Sequence, residues 1–387
     1  MDNGLKEILD CMPTATTGID WAKLEKSALV PFFSGMKGTP QNPLHHGEGD
    51  VYTHTQAVCE NLVRLPAYRS MKKRDREILF VAALLHDIGK IRCTKEEDGV
   101  IVSPHHAAVG AMMARTFLWR DLLLCGDTEN QGFRESVCLL IRYHSFPPYA
   151  LERDERYFLR IAANGELAKG FSLRKLCLLE EADVLGRISA DNEQWLENIA
   201  CTLLLSEEYE CADIPFPFAS AFAQRAYFRE KTDWRYQDIY DDTWGEVILM
   251  AGLPGTGKDT YIRTHYGDLP MISLDEFRLK MGISPTDHQG AVIAAAREAA
   301  KVYLRKKQPF IWNATDISEQ IRSNQISLFE DYGAGVRTVF LETEWTEGLR
   351  RNAERKAVVP PHVIERLLQK LQIPERSECQ CVEWKIV

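Results

Sequence analysis

With 387 residues, of which 45% are hydrophobic, 27% charged and 10% aromatic, the chain is long enough for two ordinary domains with substantial cores. It is too balanced in composition for a disordered or fibrous protein. A net charge of −9 excludes a generic duplex-coating protein, whose affinity comes from Lys and Arg neutralising many phosphates. A local basic site gripping one nucleic-acid end stays compatible with it. The ten cysteines are scattered, only Cys379 and Cys381 lying close. Together with an acidic N-terminus lacking a signal peptide, this predicts reduced thiols and a cytoplasmic location. No apolar run reaches about 18 residues, so no membrane span is expected.

Along the chain, residues 1–40 read as an irregular lead-in with short helices. From Tyr52 to about Leu205 the apolar spacing is helical. Ile78–Ile88 is apolar almost all round and predicts a core helix, with further helical faces over Glu135–His144, Leu173–Leu185 and Trp195–Leu205. Residues 206–243 change character: Pro215 and Pro217 interrupt them, helix is expected around Ala219–Lys231, and the aromatics Trp234, Tyr236 and Tyr240 are expected to pack on one of the domains. From Glu246 short apolar runs alternate with helices. Val247–Ala251, Met271–Leu274, Phe310–Trp312 and Val336–Leu341 predict strands of a parallel sheet covered on both faces. The expected organisation is a first domain over 1–205 with a lead-in to residue 45, a connector over 206–243, and a second domain over 244–387.

The helical half carries a spaced set of His and Asp. His86 and Asp87 end the apolar helix, where a charge is costly unless paired or bound to metal. His54, His105, His106, His144 and Asp183 fall at or near ends of other predicted helices. Imidazole nitrogens with a bridging carboxylate suit borderline divalent metals such as Mn, Fe, Co, Ni or Zn, and a metal pair polarises a phosphoryl group and activates water. The ordered pattern His54, His86-Asp87, His106, His144, Asp183 resembles the HD-domain phosphohydrolase superfamily. His106 is preferred to His105 because Ala-Ala-Val-Gly-Ala follows it. The resemblance implies one metal on His54, His86, Asp87 and Asp183 and a second on His106 and His144 with Asp87 bridging. A one-metal site, with His106 and His144 on the substrate, is the alternative. It also implies that Lys90 contacts substrate phosphate or a metal-bound water.

The second half carries a phosphate loop. Gly252-Leu253-Pro254-Gly255-Thr256-Gly257-Lys258 follows a predicted strand and opens a helix, as a P-loop requires. Glycines let backbone N–H groups face phosphate, the helix start adds its positive end, and Lys258 reaches the β- and γ-phosphates. Thr260 stands one place beyond the usual Ser/Thr position, which Asp259 occupies. Its carboxylate can bind Mg²⁺ directly or through water. The rest resembles the polynucleotide kinase branch of P-loop proteins. That resemblance implies Asp275 as general base on a 5′-hydroxyl, with a helix N-cap as its bland alternative, and Arg278 on the acceptor's neighbouring phosphate. It also implies a lid over Arg351–Arg355, Val359–Pro361 and His362–Leu371. Arg355 is the transition-state arginine in this reading, and Arg350 and Arg351 either bind phosphate or are solvated. Asn313 and Asp316 compete for the Mg²⁺ or water-positioning role, and Arg322 is a candidate for the phosphate network.

The two halves in this order resemble the bacterial HD-Pnk RNA end-healing proteins. The fold class so implied is multi-domain, an all-α HD phosphohydrolase followed by an α/β P-loop kinase with a central parallel sheet and helical lid. The implied activity is ATP- and Mg²⁺-dependent phosphorylation of RNA 5′-OH ends, with metal-dependent removal of a 2′,3′-cyclic phosphate or 2′-phosphate. The implied partners are RNA ends, with DNA ends as an alternative, and a downstream RNA ligase. Two rival classes are a nucleotidase fused to a nucleoside or metabolite kinase, and a non-catalytic ATP-dependent switch.

Overall fold

A computed structural model of the chain describes residues 3–14, 16–284, 289–355 and 358–387. They fall into two compact units, one running to Phe216 apart from 125–127, the other from Pro217 to Val387. The first is helical. Short helices Asn3–Leu9, Trp21–Leu24 and Val30–Met36 precede α1 (Val51–Leu62), α2 (Lys73–Leu85), α3 (His106–Thr116), α4 (Thr128–Tyr143), α5 (Glu155–Ala163), α6 (Leu173–Gly186) and α7 (Asn192–Glu208). α2 carries the continuous apolar run, and Ile78 through Leu85 are all buried. It ends at Leu85, so His86 and Asp87 stand in the turn beyond it and not on the predicted longer helix. A two-stranded hairpin, β1 (Lys95–Glu97) with antiparallel β2 (Val100–Val102), interrupts the helices and was not expected from the sequence.

Local chemistry fixes where the site residues fall. The Asp50 carboxylate caps α1 by accepting from the Thr53 N–H at 2.8 Å, which starts the helix one turn before His54. Gly89 lets two segments touch, since a Cβ there would lie 2.0 Å from the His106 carbonyl. Only glycine permits this crossing, and it brings the turn after α2 against the start of α3.

In the second unit β3 (Glu246–Ala251), β4 (Met271–Ser273), β5 (Phe310–Asn313), β6 (Gly335–Glu342) and β7 (Cys381–Ile386) form one sheet in the order β4-β5-β3-β6-β7. Every pairing is parallel. Both faces are covered, as the near-continuous apolar strands require. Ile248, Met250, Ile311, Val339 and Leu341 pack with Ile262 on one face. The helices are α8 (Ala221–Phe228), α9 (Lys258–Tyr266), α10 (Leu274–Met281), α11 (Gly290–Arg305), α12 (Glu319–Asp331), α13 (Trp345–Ala353) and α14 (Pro361–Gln369). The predicted strand Met271–Leu274 ends one residue earlier, because Ser273 caps α10, and β7 was missed.

The connector is divided. α8 belongs to the second unit, where Arg225 makes a forked contact with Glu330 at 2.7 and 3.0 Å. Trp234, Tyr236 and Tyr240 do not pack as expected; all three are exposed, Tyr240 at 88%. They lie among Asp233, Asp238, Asp241 and Asp242, acids that favour a hydrated segment. Trp234 and Tyr236 contact each other with ring centroids 6.1 Å apart. No helix among the described residues is long and apolar enough to cross a membrane.

Candidate active sites

In the first unit the structure brings all six expected metal ligands together. His54 Nε2 lies 2.9 Å from Asp183 Oδ1 and 3.7 Å from Asp87 Oδ2. His86 Nε2 lies 3.3 Å from the same Asp87 oxygen. The other oxygen, Oδ1, faces His106 Nε2 at 3.5 Å and His144 Nε2 at 3.8 Å. Two triads therefore share one carboxylate: His54 with His86 and Asp87, and Asp87 with His106 and His144. His105 is exposed outside the cluster.

The rings are aimed from behind. His86 Nδ1 donates to the Ala83 carbonyl at 2.8 Å, His106 Nδ1 to Ser103 at 2.9 Å and His144 Nδ1 to Ile141 at 2.7 Å. Each bond keeps the proton on Nδ1 and leaves an Nε2 lone pair facing inward, the usual arrangement behind a metal ligand. His54 is held by Glu48, whose Oε1 is 2.8 Å from Nδ1, while its Oε2 accepts the Ile188 N–H at 2.9 Å. His46 Nδ1 also reaches Glu48 at 2.8 Å. Arg187 grips both oxygens of Asp183, at 3.2 and 2.9 Å. Neither Glu48 nor Arg187 was singled out from the sequence. The signal available for Glu48 was a carboxylate six residues before His54, in the dense run His45-His46-Gly47-Glu48-Gly49-Asp50.

The residues fit a divalent metal. His86 Nε2 and Asp87 Oδ1 are buried without a hydrogen-bond partner among the described residues, and His54 and Asp87 Oδ2 have only charged neighbours, although buried polar atoms are normally satisfied. Burial alone would raise the Asp87 carboxyl, but the Lys90 ammonium and His86 outweigh it and hold it well below the usual range. Burial likewise opposes ionisation of Asp183, and Arg187 with His54 overcomes it. His144 is pushed down to about 3 by burial and by the neighbouring His106 and His86, so it presents a neutral imidazole. Burial would lower His54 too, yet Asp183 and Glu48 raise it. A divalent cation at Nε2 would take the place of that proton, with Glu48 keeping the one on Nδ1. Lys90 is buried, its amine 2.7 Å from Asp87 Oδ2 and donating to Gln41 Oε1 at 2.7 Å.

In the second unit the loop after β3 and the ends of β4 and β5 meet at the carboxyl edge of the sheet, where open α/β sheets bind ligands. They line a cavity of about 440 Å³ with Pro254, Gly255, Gly257, Lys258, Asp259, Thr260, Asp275, Arg278, Asn313, Arg351 and Arg355. Gly255 has φ +87°, and a Cβ there would stand 2.2 Å from the Gly348 carbonyl of α13. Gly252 and Thr256 shape the loop from beneath: Gly252 N–H donates to Thr315 O at 3.0 Å and Thr256 Oγ1 to Leu253 O at 2.9 Å. The Lys258 amine is folded onto the Gly252 and Leu253 carbonyls at 2.7 and 3.0 Å. Desolvation in this half-buried position lowers it to about 8.

Asp275 is not the N-cap of α10, since Ser273 accepts the Glu276 N–H. Its carboxylate faces the cavity, with Arg278 Nη1 at 2.5 Å and Arg355 Nη2 at 3.7 Å. Asn313 Nδ2 donates to Asp259 Oδ1 at 2.9 Å, which puts Asn313 and not Asp316 on the cavity wall beside the loop. Asp316 is buried with φ +39°, and burial pushes its carboxyl up to about 7. Arg351 lines the cavity with Nε on Glu347 at 2.7 Å. Arg350 lies outside it, paired with Glu347 and Glu354 on the exposed side of α13.

Arg322 does not belong to a phosphate network. It is fully buried, its fork held by Glu378 at 2.6 and 2.7 Å, with Nη1 on the Asp316 and Gln372 carbonyls at 2.9 and 2.7 Å. A guanidinium with these partners is a strut of the fold.

Comparison with known families agrees with this geometry. Residues 51–186 match the HD domain family and residues 247–374 an AAA domain family. The first unit is thus a helical HD domain, and the second a P-loop, kinase-like α/β domain. Among curated proteins, a Multifunctional CCA protein of Pasteurella multocida (strain Pm70) is 28% identical over 163 residues, 41% of this chain and 36% of that protein. A Multifunctional CCA protein of Halorhodospira halophila (strain DSM 244 / SL1) is 30% identical over 145 residues, 38% of this chain and 30% of that protein. The chain spans about a third of the length of the curated relatives it matches.

Proposed function

We propose that this chain is a bifunctional RNA end-healing enzyme. Its P-loop unit transfers the γ-phosphate of ATP to a 5′-hydroxyl, and its HD unit hydrolyses a 2′,3′-cyclic phosphate or a 2′-phosphate on the other side of a break. The observation that carries the reading is the grouping of Asp275, Arg278 and Arg355 in the cavity of the phosphate loop. In this reading Asp275 accepts the proton of an attacking hydroxyl. Arg278, held against it, would bind a phosphodiester next to that hydroxyl, a group that a polynucleotide end has and a free nucleoside lacks. Arg355 and Lys258 counter the charge developing on the transferred phosphoryl. Asp259 would help to hold Mg²⁺, which when bound would add to that neutralisation.

In the HD unit His54, His86, Asp87 and Asp183 would hold one divalent metal, and His106 and His144 a second, with Asp87 shared. When bound, such a pair supplies charge neutralisation at the phosphoryl oxygens and makes water a better nucleophile. Lys90, ion-paired with Asp87, would contact the substrate phosphate. A joined product would then need a ligase.

Three variants test the assignment. Labelled ATP is offered with a short 5′-OH RNA, and an RNA with a 2′,3′-cyclic phosphate is offered separately. Lys258→Ala and Asp275→Asn should abolish 5′ labelling and spare opening of the cyclic phosphate, and Asp87→Ala should do the reverse. Labelling of nucleosides but of no oligonucleotide by the parent protein would replace this reading by a metabolite kinase.

A further inference from the structure

The chain that leaves the HD cluster builds a second concavity at once. After His144 come Ser145, the 3₁₀ segment Pro147–Glu152 and α5. Between them and the end of α4 lies a cleft of about 450 Å³ lined by Arg142, Tyr143, Ser145, Phe146, Tyr149, Glu152, Arg153 and Tyr157. Ser145 belongs to both places, because its Oγ is 3.3 Å from His144 Nε2 while its chain forms the cleft wall.

The composition of that wall is specific. Four of its side chains are aromatic. Tyr149 is 50% exposed, with its ring braced by Trp195 at 5.0 Å. Tyr157 is braced by Phe146 at 5.3 Å. Two arginines lie against this surface, Arg142 with its guanidinium carbon 5.5 Å from the Tyr143 ring and Arg153 with its own 5.2 Å from the Tyr157 ring. Glu152 is the one acid among these lining residues, and it is exposed. Aromatic faces interleaved with planar cations form the surface on which single-stranded nucleic acid is held, bases stacking on rings and phosphates taken by guanidinium groups. The volume suits one nucleotide, since small-molecule sites run from about 300 to 1,000 Å³.

We propose that this cleft binds the terminal nucleotide of a single-stranded polynucleotide whose end phosphate lies at the HD cluster, its base on Tyr149 or Tyr157 and its next phosphodiester on Arg142 or Arg153. The inference rests on the reading of the HD unit as acting on polynucleotide ends. It adds the element that distinguishes such an end from a bare phosphoester. The cluster alone recognises phosphate; the cleft recognises what the phosphate is attached to.

Tyr149 and Arg153 are exposed and outside the metal cluster, so Tyr149→Ala and Arg153→Ala are suitable probes. Each should raise KM about tenfold for an oligonucleotide ending in a 2′,3′-cyclic phosphate, the loss expected for one stacked base or one phosphate contact. Neither should change kcat for it, nor any constant for bis(p-nitrophenyl) phosphate, which has no base and no second phosphate. Equal losses on both substrates, or no loss on the oligonucleotide, would overturn the proposal. A second measurement does not depend on turnover: an oligonucleotide carrying 5-iodouridine as its 3′-terminal nucleotide is photo-cross-linked to the full chain and the adduct mapped by mass spectrometry. Adducts on the peptide spanning residues 143–157 support the cleft, and adducts confined elsewhere remove it. Cross-linking at the cleft without hydrolysis of any RNA end would refute the proposed hydrolase while leaving the binding site standing.

Discussion

Replacing Arg322 by Met separates a structural strut from a phosphate ligand. The parent guanidinium is sealed from water and makes four hydrogen bonds, two to Glu378 and one each to the Asp316 and Gln372 carbonyls. Removing one partner of a buried ion pair costs about 3–5 kcal/mol, because the other charge stays buried. Two carbonyls that lose a charged donor add about 1–2 kcal/mol. The sum is a large part of the roughly 5–15 kcal/mol that holds a domain together. The defect should also depend on pH. Burial already raises the Glu378 carboxyl despite the opposing Arg322. A carboxyl raised in the folded state contributes stability below its unfolded pKa and loses it as pH rises through the folded value. Without Arg322 that value rises further, so the deficit should widen between about pH 5 and pH 8, by about 1.4 kcal/mol for each unit of added shift. Urea unfolding at the two pH values measures it, with hydrogen exchange of the Phe310–Asn313 amides assigning the transition to this unit. Arg322→Met with Glu378→Leu should recover much of the loss. A destabilisation under about 1 kcal/mol, with 5′-phosphorylation lost all the same, would refute the strut and return Arg322 to the substrate.

Three further outcomes are expected. Glu48→Gln removes the carboxylate behind His54 and should weaken metal binding about 10–100-fold, read from cobalt(II) absorption; an unchanged affinity would mean that Glu48 does not orient His54. Lys258 titrates near 8 and bound triphosphate needs its charged form, so ATP affinity should fall as pH rises above 8. Calorimetry at pH 8.5 in two buffers should show proton uptake on binding, which Lys258→Arg abolishes; a flat profile in the parent contradicts the assignment. Asp259→Ala should raise the Mg²⁺ concentration for half-maximal phosphoryl transfer about tenfold or more, by analogy with lost partners at other metal sites, and an unchanged Mg²⁺ requirement would confine Asp259 to holding Asn313.

The parts legible in the sequence are those where chemistry demands a residue type at a fixed spacing. The phosphate loop needs glycine at Gly255, where any Cβ meets the Gly348 carbonyl, and the apolar run ending in His86-Asp87 marks a buried helix with a polar end. The features that stayed hidden depend on long-range contacts. Glu48 is oriented by the Ile188 N–H, 140 residues away. Arg322 looked like a phosphate ligand because it follows the β5 loop, and only Glu378 and Gln372, from the far end of the unit, reveal its burial. β7 alternates polar and apolar residues without a strong core signal, and its pairing with β6 fixes it. Trp234, Tyr236 and Tyr240 misled because aromatic content predicts packing, whereas the surrounding acids keep that segment hydrated.

The carbonyls behind His86, His106 and His144 have a consequence for how such a centre varies. At positions 83, 103 and 141 the backbone oxygen does the aiming, so the aiming itself makes no demand on the side chains there; at Ala83 and Ile141, both fully buried, only core packing does. The histidines themselves have no such latitude, and neither does Gly89, whose crossing sets the spacing between two of them. The imprint of the chemistry on this wall is therefore a few side chains and the course of the backbone behind them, and what else the wall demands it demands for packing.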